Sequence, residues 1–320
     1  MQRSTLSARA ALVTAALLLP STPALAGLDI LLTNDDGFDQ IGVTTLRQKL
    51  IDAGHSVTTV APATQQSGKG GSINTEVFDF TPGVGLMQLT NTTPGANPVW
   101  SVAGTPADAA KAGLDIILGG SPPDLIVSGL NFGQNLGKPA SNTSGTEGAA
   151  LIGVFRGIPS IAGSVALDIS ESGAGFPSTV AAMAPASDFI VSVVAEIEGG
   201  GFPEKTKMLN VNFPVPYGDI VGVAITKLGD GADLDLPLFD PSQGFPAFGI
   251  PPLPFPSCSS SPVCFAAVGL GFSPFPDGEK DADVDAHRGE FITISPMDGN
   301  MSAGKKAETD TDALLGALTP

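Results

Sequence analysis

The chain has 320 residues, with 15 Lys plus Arg against 32 Asp plus Glu, a formal net charge of -17 and 42% hydrophobic side chains. A field of that sign repels nucleic-acid backbones and anionic lipid, and no basic cluster stands apart from it, so both are excluded as partners. A small phosphate ester is not excluded, because a bound metal ion inverts the sign of charge locally.

The first 26 residues read as a leader and not as part of the fold. Arg3 and Arg9 give a basic start, Ala10 to Leu19 is an apolar core, and Ala24-Leu25-Ala26 has the small-x-small form of a cleavage site. The expectation is an exported protein, periplasmic or extracellular, starting at Gly27 and free of the membrane once the leader is cleaved. Cys258 and Cys264 are the two cysteines of the chain. In an oxidising compartment they predict a local disulfide.

Taken in order, Ile30, Leu31 and Leu32 form a buried strand that Asn34-Asp35-Asp36-Gly37 ends abruptly. Adjacent carboxylates at the end of a buried strand are costly unless something positive sits against them, and a hard divalent cation is the simplest candidate. The competing reading makes Asn34 and Asp35 caps of a helix starting near Phe38. Gly42 to Ala53 follows as an amphipathic helix carrying Leu46, Leu50 and Ile51 on one side, and Ser56 to Ala61 is a second strand. A right-handed crossover sets the two strands side by side, with their following loops on one edge of the sheet. The second loop, Ala61 to Thr75, brings Ser67 and Lys69 among glycines, a weak anion-binding signal. Val99 to Ala103 reads as a strand and Ala107 to about Leu114 as a helix, with Pro106 and Asp108 in its first turn for structural reasons.

Pro122 to Ser164 is the richest stretch. Leu125 to Val127 is a buried strand that Ser128-Gly129 should break, and Asn131 and Asn135 follow in a glycine-rich loop, where their side chains suit either a hard cation or a phosphate. Ser144-Gly145-Thr146 opens a helix over about Glu147 to Phe155, whose free amides and hydroxyls suit a phosphate cradle, with a plain N-cap role for Ser144 or Thr146 as the competing reading. Ile158 to Ala162 is the next strand. Farther on, Pro177 to Val194 reads as a helix in two parts, interrupted at Pro185, and Met208 to Phe213 as a strand. Residues 228 to 276 exceed any ordinary loop and should contain short strands or pack across another subunit. The acids from Asp277 to Asp285 lack the register of a calcium loop. His55 and His287 read as structural or exposed.

These motifs resemble the SurE survival-protein family of metal-dependent nucleotidases. The resemblance rests on Asn34 to Gly37, Gln66 to Gly68, Gly104 to Asp108, Pro123 to Gly137 and Ser144 to Thr146, and resumes at Leu209 to Pro214 and Asp281 to Met297. It implies an α/β fold, a three-layer Rossmann-like core with a mostly parallel sheet and a C-terminal extension. The layout expected is a leader over 1–26, a catalytic core over 27–228, a Gly, Pro and Phe-rich insertion over 229–280, and a final strand and arm over 281–320. Carried over residue by residue, Asp35, Asp36, Ser67 and Asn131 would hold one divalent ion per subunit, Mn or Mg. Asn135, Ser144, Gly145 and Thr146 would meet phosphate, and Asp35, Asp36 and Asn131 would be catalytic. The implied reaction is hydrolysis of nucleoside 5'- and 3'-monophosphates by a homodimer or homotetramer exchanging C-terminal arms. Glu147 departs from the small apolar residue usual after the SGT element and would repel phosphate if it faced inward; Asn142 and Thr143 replace an aromatic and a polar residue. A broad-specificity exported acid phosphatase and a non-catalytic metal or phosphate-binding protein are the alternatives. A dinucleotide-dependent oxidoreductase is set aside, since the first strand ends in NDDG and not in a glycine fingerprint.

Overall fold

The Ile30-Leu31-Leu32 run is the middle of β1 (Asp29–Thr33), and its three side chains show how the layers form. Ile30 and Leu32 point into one core with Leu46 and Leu50, while Leu31 points into a second with Ala109 and Ala112. A strand buried on both faces in this way is the mark of a sheet covered by helices on each side. In this computed structural model, residues 27–74, 86–202, 206–231, 233–235, 238–244, 251–268, 271–272 and 277–299 are described. The expected leader and the arm beyond residue 299 lie outside them.

After β1 come α1 (Ile41–Asp52), β2 (Ser56–Pro62), β3 (Leu89–Thr93), β4 (Val99–Val102), α2 (Pro106–Ala112), β5 (Leu125–Phe132), α3 (Gly137–Thr143) and α4 (Gly145–Phe155). Next are β6 (Ser160–Val165), α5 (Pro177–Gly200), β7 (Met208–Phe213) and β8 (Gly222–Ile225). Short strands β9 (Leu234–Asp235), β10 (Leu238–Phe239), β11 (Ala267–Val268) and β12 (Gly271–Phe272) precede α6 (Asp283–Arg288) and β13 (Phe291–Met297). The main sheet runs β3-β4-β2-β1-β5-β6-β7-β13-β8. Its six central strands from β4 to β7 are parallel; β3 and β13 are antiparallel to their neighbours β4 and β7. α1 and α5 cover one face, and α2 and α4 the other. The chain moves outward from β1 to β2 on one side and finds β5 on the other. That places the crevice where open α/β sheets bind ligands between the ends of β1 and β5.

Three elements differ from the sequence reading. β5 does not stop at Ser128-Gly129 but continues to Phe132, with a shift in its pairing to β6 between Ser128 and Asn131. Gly129, at φ 131°, absorbs the irregularity, and Leu130 beyond it is again fully buried. α5 is one helix of 24 residues with Pro185 inside it, not two pieces. Its buried face of Ala182, Met183, Ala186, Ile190 and Val194 spans the proline and packs on the sheet beside α1, so tertiary burial outweighs the lost hydrogen bond. Among the described residues α5 is the one helix long and apolar enough to cross a membrane, and this packing is that of a core helix. Finally, the helix after NDDG starts at Ile41 and its N-cap is Gln40, so neither Asn34 nor Asp35 caps it.

Between β8 and α6 the described residues form two ribbons of two-residue strands, β10 with β11 and β9 with β12. Cys258 and Cys264 are joined by a disulfide. The acids near the end are structural in part. Asp283 is fully buried and accepts the amides of Gly137 and Gly229. Both histidines serve the fold: His55 Nδ1 accepts the Leu28 amide, and burial pushes His287 down to about 4.

α1 approaches β5 so closely that a Cβ on Gly42 would lie 1.9 Å from the Leu130 carbonyl oxygen. Gly42→Ala should therefore force α1 away from the sheet and cost about 2 kcal/mol or more, although alanine is the better helix former. Urea denaturation checks this; an unchanged or raised midpoint would contradict the packing.

Candidate active site

The loop after β1 is closed by Asn34, whose side chain both donates to the Gly37 carbonyl and accepts the Gly37 amide. This leaves Asp35 and Asp36, both buried, at the end of the strand. Asp35 Oδ1 accepts from Thr146 Oγ1 at 2.6 Å, and the Gln66 amide donates to the Asp35 carbonyl at 2.7 Å. Burial raises the Asp35 pKa above its ordinary value, opposed by Thr146 and by the amides of Thr146 and Gly145. Asp36 accepts the Phe132 amide at Oδ2. Its pKa is pushed up to about 7, first by burial and then by the charge of Asp35. Among the described residues no Lys or Arg forms an ion pair with either carboxylate.

A cleft of about 340 Å3 opens beside Asp35, lined also by Ser67, Asn131, Phe132, Gln134, Asn135 and Ser144. β1 brings Asp35 to it, the β2 loop Ser67, the end of β5 Asn131, and the N-cap of α4 Ser144. Asp36 borders an adjoining hollow with Asp39 and Gln40, and Gln65 and Phe132 border both spaces. Asn131 Nδ2 donates to the Gly133 carbonyl at 2.5 Å, while its Oδ1 is buried with no hydrogen-bond partner. Ser67 is exposed on the rim and its hydroxyl accepts from the Gln65 side chain.

The three residues of the expected phosphate cradle divide. Ser144 lines the cleft and caps α4, its Oγ accepting the Glu147 amide at 3.0 Å. Gly145 and Thr146 face Asp35 instead. Thr146 is fully buried with its hydroxyl committed to that carboxylate, and a Cβ on Gly145 would meet Asp35 Oδ2 at 2.8 Å. The free amides of this helix start thus act on an aspartate, as a helix N-terminus does on any anion. Glu147 faces neither the cleft nor solvent. It is buried against Ser141, whose hydroxyl donates to Oε1 at 2.9 Å, and it borders a separate, mainly apolar hollow on the far side of α3. Asp108 and Pro106 are accounted for by the cap of α2, where Thr105 and Asp108 exchange side-chain to main-chain bonds.

Sequence reasoning passed over Gln134, in the loop that lines the cleft, and the pair Asn210 and Asn212, which reach that loop from β7. Gln134 is buried between the Leu167 amide and Asp233. The available signal was the two amides, two residues apart, inside an otherwise apolar strand.

The family described as survival protein SurE matches residues 30–233. The chain belongs to the SurE family. The protein named 5'-nucleotidase SurE from Gloeobacter violaceus is 37% identical over 209 residues, covering 62% of this chain and 70% of that relative. Its namesake from Microcystis aeruginosa is 39% identical over 211 residues, covering 63% and 68%. The crystal structure of the SurE protein from Aquifex aeolicus superposes with a TM-score of 0.63 at 27% identity, covering 89% of this chain and 99% of the other. The α/β fold with a mostly parallel sheet and a C-terminal extension is therefore that of SurE proteins.

Among the described residues no three His, Cys, Asp or Glu side chains form a metal-holding group. The SurE candidate set is of another kind: two carboxylates, one carboxamide oxygen and one hydroxyl, all hard donors suited to Mg or Mn. The unpartnered buried Oδ1 of Asn131, beside a carboxylate pair raised by burial, fits such an ion.

Burial raises Glu147 to about 8 from an ordinary 4.5, with Ser141 opposing and the charge of Asp283 adding to the rise. A folded-state value above the unfolded one means the contribution to stability is fully present below about pH 4.5 and is lost as pH climbs to 8. Glu147→Gln, neutral throughout, should leave stability unchanged at pH 4 and raise it by something on the order of 3–5 kcal/mol at pH 9. Urea midpoints of both proteins across that range test this, and a difference independent of pH would contradict it.

Proposed function

We propose that this chain is a divalent-metal-dependent phosphomonoester hydrolase acting on nucleoside 5'- and 3'-monophosphates. The observation that carries the reading is the unpartnered Asn131 Oδ1 beside two buried carboxylates, at the strand-order switch point and on a cleft shared with the α4 N-cap. The name 5'-nucleotidase printed for the SurE relatives supports the substrate class.

In this reading Asp35, Asp36, Asn131 and Ser67 hold the ion, Mg or Mn. Bound there, it would neutralise phosphate charge and make a coordinated water more acidic. Thr146 and the α4 amides oppose the rise that burial imposes on Asp35 and hold its carboxylate in place, so the ligand is positioned before substrate arrives. Asp36 is anchored at Oδ2 by the Phe132 amide, which leaves Oδ1 to bind the ion or to take the proton of the attacking water. Ser144 and Asn135 face the cleft and donate to the phosphoryl oxygens as the bond from phosphorus to the ester oxygen breaks. Phe132 is the aromatic among the cleft's lining residues and the surface on which a nucleobase would stack; its edge-to-face contact with Phe176, centroids 5.8 Å apart, holds the ring. Glu147 lies away from the cleft lining, so it gives the non-catalytic reading no support.

Chelation should abolish phosphate release from adenosine monophosphate, and Mg or Mn should restore it. Asp35→Asn should keep the circular dichroism spectrum and lose roughly 100-fold or more in kcat. Turnover that survives thorough chelation or the Asp35→Asn change refutes the mechanism. Phe132→Ala should raise KM for adenosine monophosphate and leave KM for glycerol phosphate unchanged. Equal effects on the two esters would remove the stacking role and favour a broad-specificity phosphatase.

A further inference from the structure

Every residue of β7 is buried, yet two of its six, Asn210 and Asn212, carry carboxamides. Buried amides are costly unless paired, and these are paired with one residue of the loop that lines the cleft. Asn212 Oδ1 accepts the Asn135 amide at 2.7 Å, and Asn212 Nδ2 donates to the Asn135 carbonyl at 3.0 Å. Asn210 Nδ2 donates to the same carbonyl at 2.9 Å, and Asn212 Nδ2 is also 3.2 Å from Asn210 Oδ1. The side chain of Asn135 is fixed in turn, its Nδ2 donating to Ser164 Oγ at 3.0 Å. Asn212 therefore does for Asn135 what a neighbouring strand would do, holding both main-chain groups of a loop residue that has no strand partner.

The anchors also share a row. Asn131 of β5 is in register with Ser164 of β6, and Ser164 with Asn212 of β7. In a pleated sheet such partners lie on the same face, so one polar row runs from the metal-side asparagine across the sheet to the anchor of the phosphate-side asparagine.

We propose that Asn212, assisted by Asn210 and Ser164, is a positioning residue for the reaction: it fixes the distance between Asn131 and Asn135 across the cleft. This rests on reading the cleft as a phosphoryl-transfer site. Asn212 is fully buried and absent from the cleft lining, so it acts only through Asn135.

The test uses the full chain loaded with Mg or Mn, with steady-state kinetics on adenosine monophosphate and inhibition by inorganic phosphate. Asn212→Ala should lower kcat/KM and weaken phosphate inhibition by roughly 10- to 100-fold at temperatures where the protein stays folded. Asn212→Asp keeps the shape and the acceptor for the Asn135 amide but has no donor for its carbonyl, and should be comparably impaired. Asn210→Ala, which removes one donor of two, should lose less. Val194→Ala, in the core on α5, supplies a control with lowered melting temperature and intact phosphate inhibition. The inference is overturned if Asn212→Ala or Asn212→Asp stays within twofold of the parent in both readouts. It is also overturned if Val194→Ala at equal thermal destabilisation reproduces the losses. Should Asp35→Asn silence the enzyme while the Asn212 variants do not, this inference alone falls; should Asp35→Asn also remain active, the reading of the site falls with it.

Discussion

Two adjacent carboxylates held out of water at the end of a central strand are the constraint around which this structure is arranged. An isolated buried carboxylate neutralises itself unless donors or cations meet it. Here the donors come from far along the chain. Thr146 and the first amides of α4 meet Asp35, and the Phe132 amide meets Asp36. α4 comes this close because Gly145 has no Cβ to strike Asp35. The contact that supports the carboxylate thus also seats a helix against the sheet, and the Ser144 cap of that helix forms one wall of the cleft.

No Lys or Arg among the described residues pairs with either carboxylate, and in the proposed reading a bound cation takes that place. The donors are enough to hold Asp35 in place and too few to cancel the pair, so Asp36 is still driven up, by burial first and then by its neighbour. An asparagine oxygen without a partner stands beside them. A core evolved for stability alone would fill such a place with apolar side chains, since unsatisfied buried polar atoms weaken a fold.

Much of this was legible in the sequence because it is local. The β1 run and its NDDG terminus, the strand before Asn131, and the cap at Ser144 each announce themselves within a few residues. The division of labour within Ser144, Gly145 and Thr146 did not, because it depends on which way a helix start faces at a sequence separation of 111 residues. Glu147 was hidden for the same reason: sequence offered a choice between phosphate and solvent, and packing against Ser141 supplied a third place. The continuity of α5 through Pro185 was masked because a local penalty was set against burial that only the assembled core provides.

The order of strands carries one further consequence. β13 lies between β7 and β8, antiparallel to the first and parallel to the second, though it follows both in the chain. Until Phe291 to Met297 has emerged during synthesis, β7 has a bare edge and β8 has no sheet to join. An open edge of apolar strand is a template for pairing with other chains. Truncation before residue 291 would therefore leave β7 as a sticky outer edge of the sheet, and nascent chains carry that hazard from the emergence of Phe213 until Met297 has followed it.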